Sequence, residues 1–405
     1  MKTGPPDALG PVRGYRDRAE HLVVGLMTGT SADAVDAVLV RFRGLGLEAT
    51  HEVLAYRETP LEPPLRREVL EVAAARVLEP ERLMRLDAAL GERYAAAVFE
   101  LLAGSKLDRD RVDAIGSHGQ TVRHLPRDAG GGQALTLQLG SAAVLAERTG
   151  ITVVSDFRTR DTAAGGEGAP LVPLADWWLF RSAQESRALL NLGGMANLTW
   201  LPAGAGLENV VAFDTGPGNA VLDALVQLRS GGQQLHDEGG ATAAEGEPSE
   251  ALLAELLEDP FFALPPPRST GREHFGESYA VRLRDLGLSL GLEEEDVLAT
   301  AVELTAASVA DALRRFILPR GKVDALYASG GGVKNRTLMR ALGRRLGGPG
   351  ARPLAELGVP PESKEALAFA FLAHQTLCGH PGNVVGATGA AHPVVLGHIT
   401  PGAPR

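Results

Sequence analysis

The chain has 405 residues, 44% of them hydrophobic and 22% charged, and carries a formal net charge of −10 at pH 7. Those values describe a globular protein of two or three domains. The acidic balance argues against a nucleic-acid binder, which needs a basic excess to neutralise phosphates.

Lys2, Lys106, Lys322, Lys334 and Lys364 do not cluster, so no lysine-rich membrane or heparin patch is expected. The single cysteine, Cys378, can form no disulfide within the chain and no cysteine-built zinc site; in an apolar helical pattern it reads as a buried hydrophobe. Residues 1–19 read as a flexible polar leader without the apolar run of a secretory signal. No stretch approaches the roughly 18 apolar residues of a membrane span. The expected setting is the cytoplasm.

From His21 an apolar strand, a Gly/Thr/Ser turn and a second strand, Val35 to Phe42, form a hairpin-like pair. Helical patterning fills about 64–104. A strand over Val112 to Ile115 runs into the turn GSHGQT. Then come a strand at 135–139, a short helix ended by Gly150, and a strand at 151–154, a strand-helix-strand unit that favours parallel pairing. Residues 161–176 read as a loop and a domain boundary. Strands at 188–192 and 196–201 flank a Gly-Gly turn, and a strand at 210–213 leads into an aspartate turn with Pro217 suited to the first turn of the next helix. A long helix over about 293–317, a strand VDALYAS, a helix from near Asn335 and a helix over about 361–378 complete the order. The class is α/β with mixed sheets.

Three apolar-to-glycine junctions stand out. The first, after His21, places Gly29, Thr30 and Ser31 in a turn, followed by Ala32, Asp33 and Ala34 and, at the start of the next strand, Val35 and Asp36. Glycine lets backbone N–H groups approach a polyanion, and Asp33 or Asp36 suits a magnesium ion held through water; a plain hairpin turn capped by Thr and Ser is the alternative. The second junction, Val210 to Leu225, ends an apolar strand at Asp214, followed by Gly216, Gly218 and Asn219. A carboxylate there reads as a general base beside a γ-phosphate, or as a helix cap. The third places Gly330, Gly331 and Gly332 where backbone could border adenine and ribose, or merely connect strand to helix.

Gly321-Lys322 is followed by valine, so no Walker-type phosphate loop is present, and the protein-kinase and Rossmann signatures are missing as well. Asp-Thr-Gly at 214–216 also fits an aspartic protease, but no second Asp-Thr/Ser-Gly occurs. What is left is a nucleotide fold that spreads its phosphate contacts over several short turns, as actin, sugar kinases and chaperone ATPases do.

The motifs GLMTGTSADAVD (25–36), GSHGQTVRH (116–124), DFRTRDTAAGGEGAPLVP (156–173), NLGGMANLT (191–199), AFDTGPGN (212–219), RSTGREHF (268–275), SGGGVKN (329–335) and KEALAFAFLAH (364–374) together resemble the anhydro-N-acetylmuramic acid kinases. The resemblance runs from about Leu22 to Gly389. It implies two actin-like (ribonuclease H-like) domains with mixed five-stranded sheets and a nucleotide cleft between them. The implied division is 20–180, 181–380 and a C-terminal segment, 381–405, returning to the first domain.

The implied activity consumes ATP and water to open the 1,6-anhydro bridge of 1,6-anhydro-N-acetylmuramic acid and phosphorylate O6, with Mg²⁺ and a homodimeric state. Carried over by position, Gly29 to Asp36 cradle the phosphates, Asp214 is the base, and Gly330 to Gly332 border the adenosine. Arg160 meets the sugar or its lactyl carboxylate, Glu365 faces sugar or metal, and His118, Gln120 and Thr121 line the sugar pocket. Thr28, Ala34 and Glu167 stand where serine, glycine and glutamine are usual; Ala34 requires a turn that avoids φ > 0 there. A nucleotide-binding sensor without phosphate transfer and a conventional amino-sugar kinase are the alternatives.

Overall fold

The computed structural model describes residues 9–127, 132–347 and 350–403. They form two compact units, one of residues up to Trp178 together with Glu362 onward, the other Leu179–Pro361.

The first unit opens with a helical turn, α1 (Gly10–Arg13), and a buried Tyr15, so ordered structure begins inside the segment read as a leader; residues 1–8 of that leader lie outside the described residues. Strands β1 (Glu20–Thr28), β2 (Ala34–Arg43) and β3 (Thr50–Pro60) make an antiparallel meander. β3 was not foreseen: most of its residues are exposed, and an edge strand exposed on both faces shows no apolar alternation. Helices α2 (Pro63–Ala74) and α3 (Pro80–Ser105) follow. β4 (Ala114–Leu125) carries the GSHGQT segment inside the strand rather than in a turn. β5 (Leu135–Leu139), α4 (Ala142–Thr149) and β6 (Thr152–Ser155) come next, with Ser141 capping α4 and Gly150 closing it in the left-handed conformation. β6 runs parallel to β4, whereas β5 folds back antiparallel on β4, so β5 and β6 are not partners. The expected loop at 161–176 contains α5 (Thr159–Ala163) and the start of α6 (Val172–Phe180).

The second unit repeats the pattern. β7 (Arg187–Leu192), β8 (Met195–Leu201) and β9 (Val211–Pro217) form a meander, followed by α7 (Asn219–Ser230), α8 (Glu250–Leu257), α9 (Glu277–Ser289) and α10 (Glu294–Ala312). β10 (Ala325–Ser329), α11 (Arg336–Leu346) and the two-residue β11 (Arg352–Pro353) complete it. Pro217 lies in β9, paired with Met195, and not in the helix; β9 is a sheet edge, where a missing N–H is tolerated. The chain re-enters the first unit at Glu362 rather than at 381, because α12 (Lys364–Cys378) packs on β1 and β4. Then come α13 (Val385–Thr388) and β12 (His398–Thr400), which pairs with β6.

The strand orders β3-β2-β1-β4-β6 and β9-β8-β7-β10-β11 match, with the same parallel and antiparallel steps. The expectation of two like α/β domains is borne out, with a correction: β5 and β12 raise the first sheet to seven strands, while the second has five. Among the described residues no helix is long and apolar enough to cross a membrane.

Period-two alternation assigns the faces of the first sheet. Leu22, Val24 and Leu26 join α3 residues such as Leu90, Tyr94 and Val98 in one core, and the intervening positions turn toward α12. There Gly25 and Gly116 are register partners on parallel strands. A Cβ on Gly25 would lie 1.9 Å from the Ala366 carbonyl oxygen, and one on Gly116 would lie 2.2 Å from that of Phe369. The helix backbone rests on the bare strand backbones. In the second unit α10 is buried on nearly every side, so it has no polar face.

Beneath α12, Tyr15 donates its hydroxyl to His374 Nδ1 at 2.8 Å, and His374 stacks on Phe42. Burial holds the His374 ring at a pKa of about 3, far below its ordinary 6.5. The unfolded chain therefore takes up a proton below about pH 6.5 that the folded chain refuses, so stability is lost as pH falls. At pH 5 this one group costs about 2 kcal/mol. Asp36 and Asp214, raised to about 6, act in the opposite sense below that pH, so the comparison is made against a variant. His374→Asn keeps an acceptor for Tyr15 but cannot charge. Its melting temperature should fall less than that of the parent between pH 7 and pH 5; parallel curves would refute the assignment.

Candidate active site

In each sheet the first strand has a parallel neighbour on one side and a hairpin partner on the other. Chain direction reverses there, and loops at the carboxyl ends of such strands form the crevice where α/β sheets take ligands. The predicted residues gather at these two edges.

In the first unit the turn after β1 is closed by Ala32 N–H donating to Gly29 O at 3.0 Å. The amides of Thr30 and Ser31 donate to no backbone carbonyl among the described residues, as an anion-binding turn requires. Ala34 begins β2 as extended backbone; the left-handed residue is Ala32, with φ +52°. Gln120 Nε2 reaches across from β4 to Gly29 O at 3.2 Å, and its Oε1 is buried without a partner among the described residues. Thr121 Oγ1 accepts from Gln138 Nε2. Thr28 donates to the Tyr94 hydroxyl at 3.1 Å.

The two metal candidates differ. Asp33 is exposed and paired with Arg66 at 2.7 Å. Asp36, half-buried on β2, accepts from Tyr56 at 2.5 Å through Oδ1, leaving Oδ2 open. Burial, helped by Glu58 and Glu365 and opposed by Tyr56, lifts its carboxyl to about 6. Magnesium asks a protein for only one or two carboxylates beside phosphate and water, and Asp36 fits that role better.

His118 is buried, bonds Gly119 O through Nδ1 at 2.7 Å, and accepts from Arg158 at Nε2. Burial and the Arg158 charge hold the imidazole well below its ordinary pKa, so it is neutral. Arg160 lies exposed on α5, while Arg158, two residues earlier, turns inward. Glu365 is the one residue of α12 that is not buried. Its charge acts on both Asp36 and Arg158.

In the second unit Asp214 sits on β9 opposite Asn197, next to a bulge. Its Oδ2 accepts from the Thr270 N–H at 2.8 Å and the Ser269 hydroxyl at 3.2 Å. Oδ1 has no donor among the described residues. Arg268 fixes the backbone: its Nε donates to Asp214 O at 2.9 Å while Asp214 N–H donates to Arg268 O. Arg268 is itself wedged against Phe261, Phe213 and Phe316. Burial raises the Asp214 carboxyl to about 6 against the lowering pull of Thr270, Ser269 and Arg268. A carboxylate poised there is ionised at neutral pH yet basic enough to accept a proton.

The amides of Gly218, Asn219 and Ala220 are spent on the carbonyls of Gly193 and Gly194. A Cβ on Gly218 would lie 2.4 Å from Gly193 O, so only glycine permits the approach. Asn219 also donates to Leu192 O and abuts Gly331 and Gly332. The second and third glycine junctions thus meet around Gly193-Gly194, whose own amides donate to no backbone carbonyl among the described residues. Sequence reasoning had read that pair only as a hairpin turn. It also passed over Arg158, Tyr56 and the Arg268–Thr270 segment. For Arg158 and the Arg268–Thr270 segment the signal lay in the DFRTRD and RSTGREHF motifs, whereas Tyr56 lies in none of the motifs.

The profile described as anhydro-N-acetylmuramic acid kinase matches residues 21–402. A protein of that description from Caldanaerobacter subterraneus subsp. tengcongensis is 44% identical over 389 residues, spanning 95% of this chain and 98% of its own length. Another, from Salinibacter ruber, is 46% identical over 386 residues, spanning 95% and 97%. Among solved structures, the ADPNP-bound activator of 2-hydroxyisocaproyl-CoA dehydratase from Clostridium difficile aligns at TM-score 0.42 and 14% identity, over 88% of this chain and 95% of that one. A ROK hexokinase from Thermus thermophilus aligns at TM-score 0.33 and 17% identity, over 87% and 99%. These structural likenesses are too distant to bear on function.

Proposed function

Since the chain belongs to the anhydro-N-acetylmuramic acid kinase family, we propose that Asp214 is the base that starts its reaction. That reaction is the ATP-dependent phosphorylation of 1,6-anhydro-N-acetylmuramic acid with opening of the anhydro ring, in peptidoglycan recycling. The observation that carries the assignment is the split use of one carboxylate: Oδ2 is held by Ser269 and Thr270 while Oδ1 has no donor among the described residues.

Asp214 Oδ1 takes a proton from water as its oxygen bonds to C1. The C1–O6 bond breaks, and O6 attacks the γ-phosphorus directly, expelling ADP. The proton passes from Asp214 to solvent. One carboxylate suffices because phosphoryl transfer captures the leaving oxygen, where an ordinary glycosidase needs a second carboxyl group to protonate it. The turn after β1, Gly29 to Asp33, supplies N–H groups to phosphate oxygens, with Asp36 just beyond it on β2. Gly330 to Gly332 with the amides of Gly193 and Gly194 border the remainder of the nucleotide. His118, Gln120, Thr121 and Glu365 serve the sugar. Asp36 is the residue that would hold a magnesium ion through water, which would there neutralise phosphate charge. The cytoplasm supplies ATP, and the homodimeric state is carried over from the resemblance.

The test is ADP release in ¹⁸O-water with 1,6-anhydro-N-acetylmuramic acid, with N-acetylmuramic acid, and with neither. The expected result is turnover with the anhydro sugar alone, with label at C1 and none in the phosphate. Label in the phosphate, or release without sugar, overturns the mechanism.

A further inference from the structure

Arg268 is a buried cation whose guanidinium meets main-chain carbonyls instead of a carboxylate. Nη1 donates to the carbonyls of Phe261, Phe262 and Leu264 at 3.1, 3.1 and 2.8 Å, and Nη2 to that of Thr215 at 3.5 Å. Nε takes Asp214 O at 2.9 Å. The rings of Phe261, Phe316 and Phe213 sleeve it, with centroids 4.7, 5.1 and 5.4 Å away. Among the described residues it has no ion pair; the acids that act on it from nearby are Asp214 and Asp311. Asp311 is already engaged by Arg315 at 3.2 Å and Arg314 at 4.0 Å. Asp214 is the acid left to balance it.

Burial and the neighbouring Arg315 lower the Arg268 pKa to about 10, so the group stays charged at neutral pH. Buried charges that do not touch still act on each other, because a low-dielectric interior screens them little. Arg268 also closes a ring of bonds around the carboxylate. Asp214 N–H donates to Arg268 O at 3.1 Å while Asp214 O accepts from Nε. The next two residues, Ser269 and Thr270, hold Oδ2. Nη1 ties this ring to the turn at Pro260–Ala263, whose Phe262 covers Gly216: a Cβ on that glycine would lie 2.7 Å from the phenyl ring. Lysine, a single point of charge, could not span Asp214 O and the 261–264 carbonyls together.

We propose that Arg268 is a positioning residue of the reaction: it clamps Asp214 by its N–H and its carbonyl, and it is the buried counter-charge of that carboxylate. The inference rests on Asp214 as the base. Without the cation, burial and Glu273 would raise the carboxyl further, opposed only by Thr270 and Ser269. A larger share of the enzyme would then carry a protonated Asp214 at neutral pH, and a protonated carboxyl cannot accept a proton from water.

The experiment follows kcat and KM with 1,6-anhydro-N-acetylmuramic acid and ATP over about pH 5 to 9 in the parent, Arg268→Gln, Arg268→Lys and Asp214→Asn. In Arg268→Gln the acid limb of kcat/KM should move from about pH 6 to about pH 7. Its kcat on the alkaline plateau should be about 10-fold lower, with both KM values within about 3-fold of the parent, because the clamp positions the base and touches neither substrate. Arg268→Lys keeps the charge without the fork, so its limb should stay near that of the parent while its kcat falls. Arg268→Met, whose thioether suits the aromatic sleeve, carries the same expectation as Arg268→Gln and replaces it if the glutamine variant does not fold. An unmoved limb in a folded neutral variant overturns the proposal. So does an equal loss at every pH, the mark of a purely structural role. If Asp214→Asn retains turnover, the base assignment itself fails; if it is inactive while the neutral Arg268 variant matches the parent, only this proposal does.

Discussion

Asp214→Asn should reduce kcat by 10²- to 10⁴-fold while leaving the protein folded. The asparagine Oδ1 can still accept from Ser269 and Thr270, so the β9 turn keeps its bonds and only the proton acceptor is lost. Stability should not suffer, because burial disfavours the ionised aspartate that is removed. The parent kcat/KM should decline as pH drops through about 6, the pKa at which burial places this carboxyl. Sugar and ATP binding, read by calorimetric titration, should persist in the variant. Near-parental turnover in a folded Asp214→Asn protein would remove Asp214 from the chemistry.

Gly25→Val should destabilise the first unit by more than about 3 kcal/mol, a melting decrease on the order of 10 °C, or prevent soluble expression. A Cβ at residue 25 would meet backbone atoms of Ala366 and Ala370, which cannot rotate aside as a side chain could. α12 would have to lift from β1 and β4, displacing Glu365 at its first turn. Gly104→Ala is the contrast: it lies in α3 with open space around the added methyl, and it should be neutral or raise stability by about 0.4–1 kcal/mol. Thermal unfolding of both variants decides the matter. Equal melting temperatures for Gly25→Val and the parent would mean that α12 does not rest on the strand backbone.

Much of this was legible in the residues. The apolar runs that end in glycine turns mark β1, β9 and β10 correctly because a buried strand announces itself by composition, and the turn residues that follow it by conformation. Ser141, Gly150 and Asn335 mark helix ends through local capping chemistry, which needs only neighbours in sequence. β3 escaped because its exposed face carries no pattern, and Pro217 misled because its tolerance at a sheet edge depends on there being no further strand. Arg160 and Arg158 sit in one short motif, and no rule of spacing says which turns inward.

The α/β class, the three glycine junctions, the carboxylate at Asp214 and the family resemblance were all readable from the residues, since each is built from short contiguous segments and their order along the chain. Tertiary structure alone decided that Gly193-Gly194 knits two of those junctions together, that Gly25 and Gly116 seat α12, and that Arg158 is held by His118 and Gly168. Those outcomes join residues from strands and loops far apart along the chain. Hydrogen bonds and steric contact act over a few ångströms of space, so only the folded backbone could select such partners.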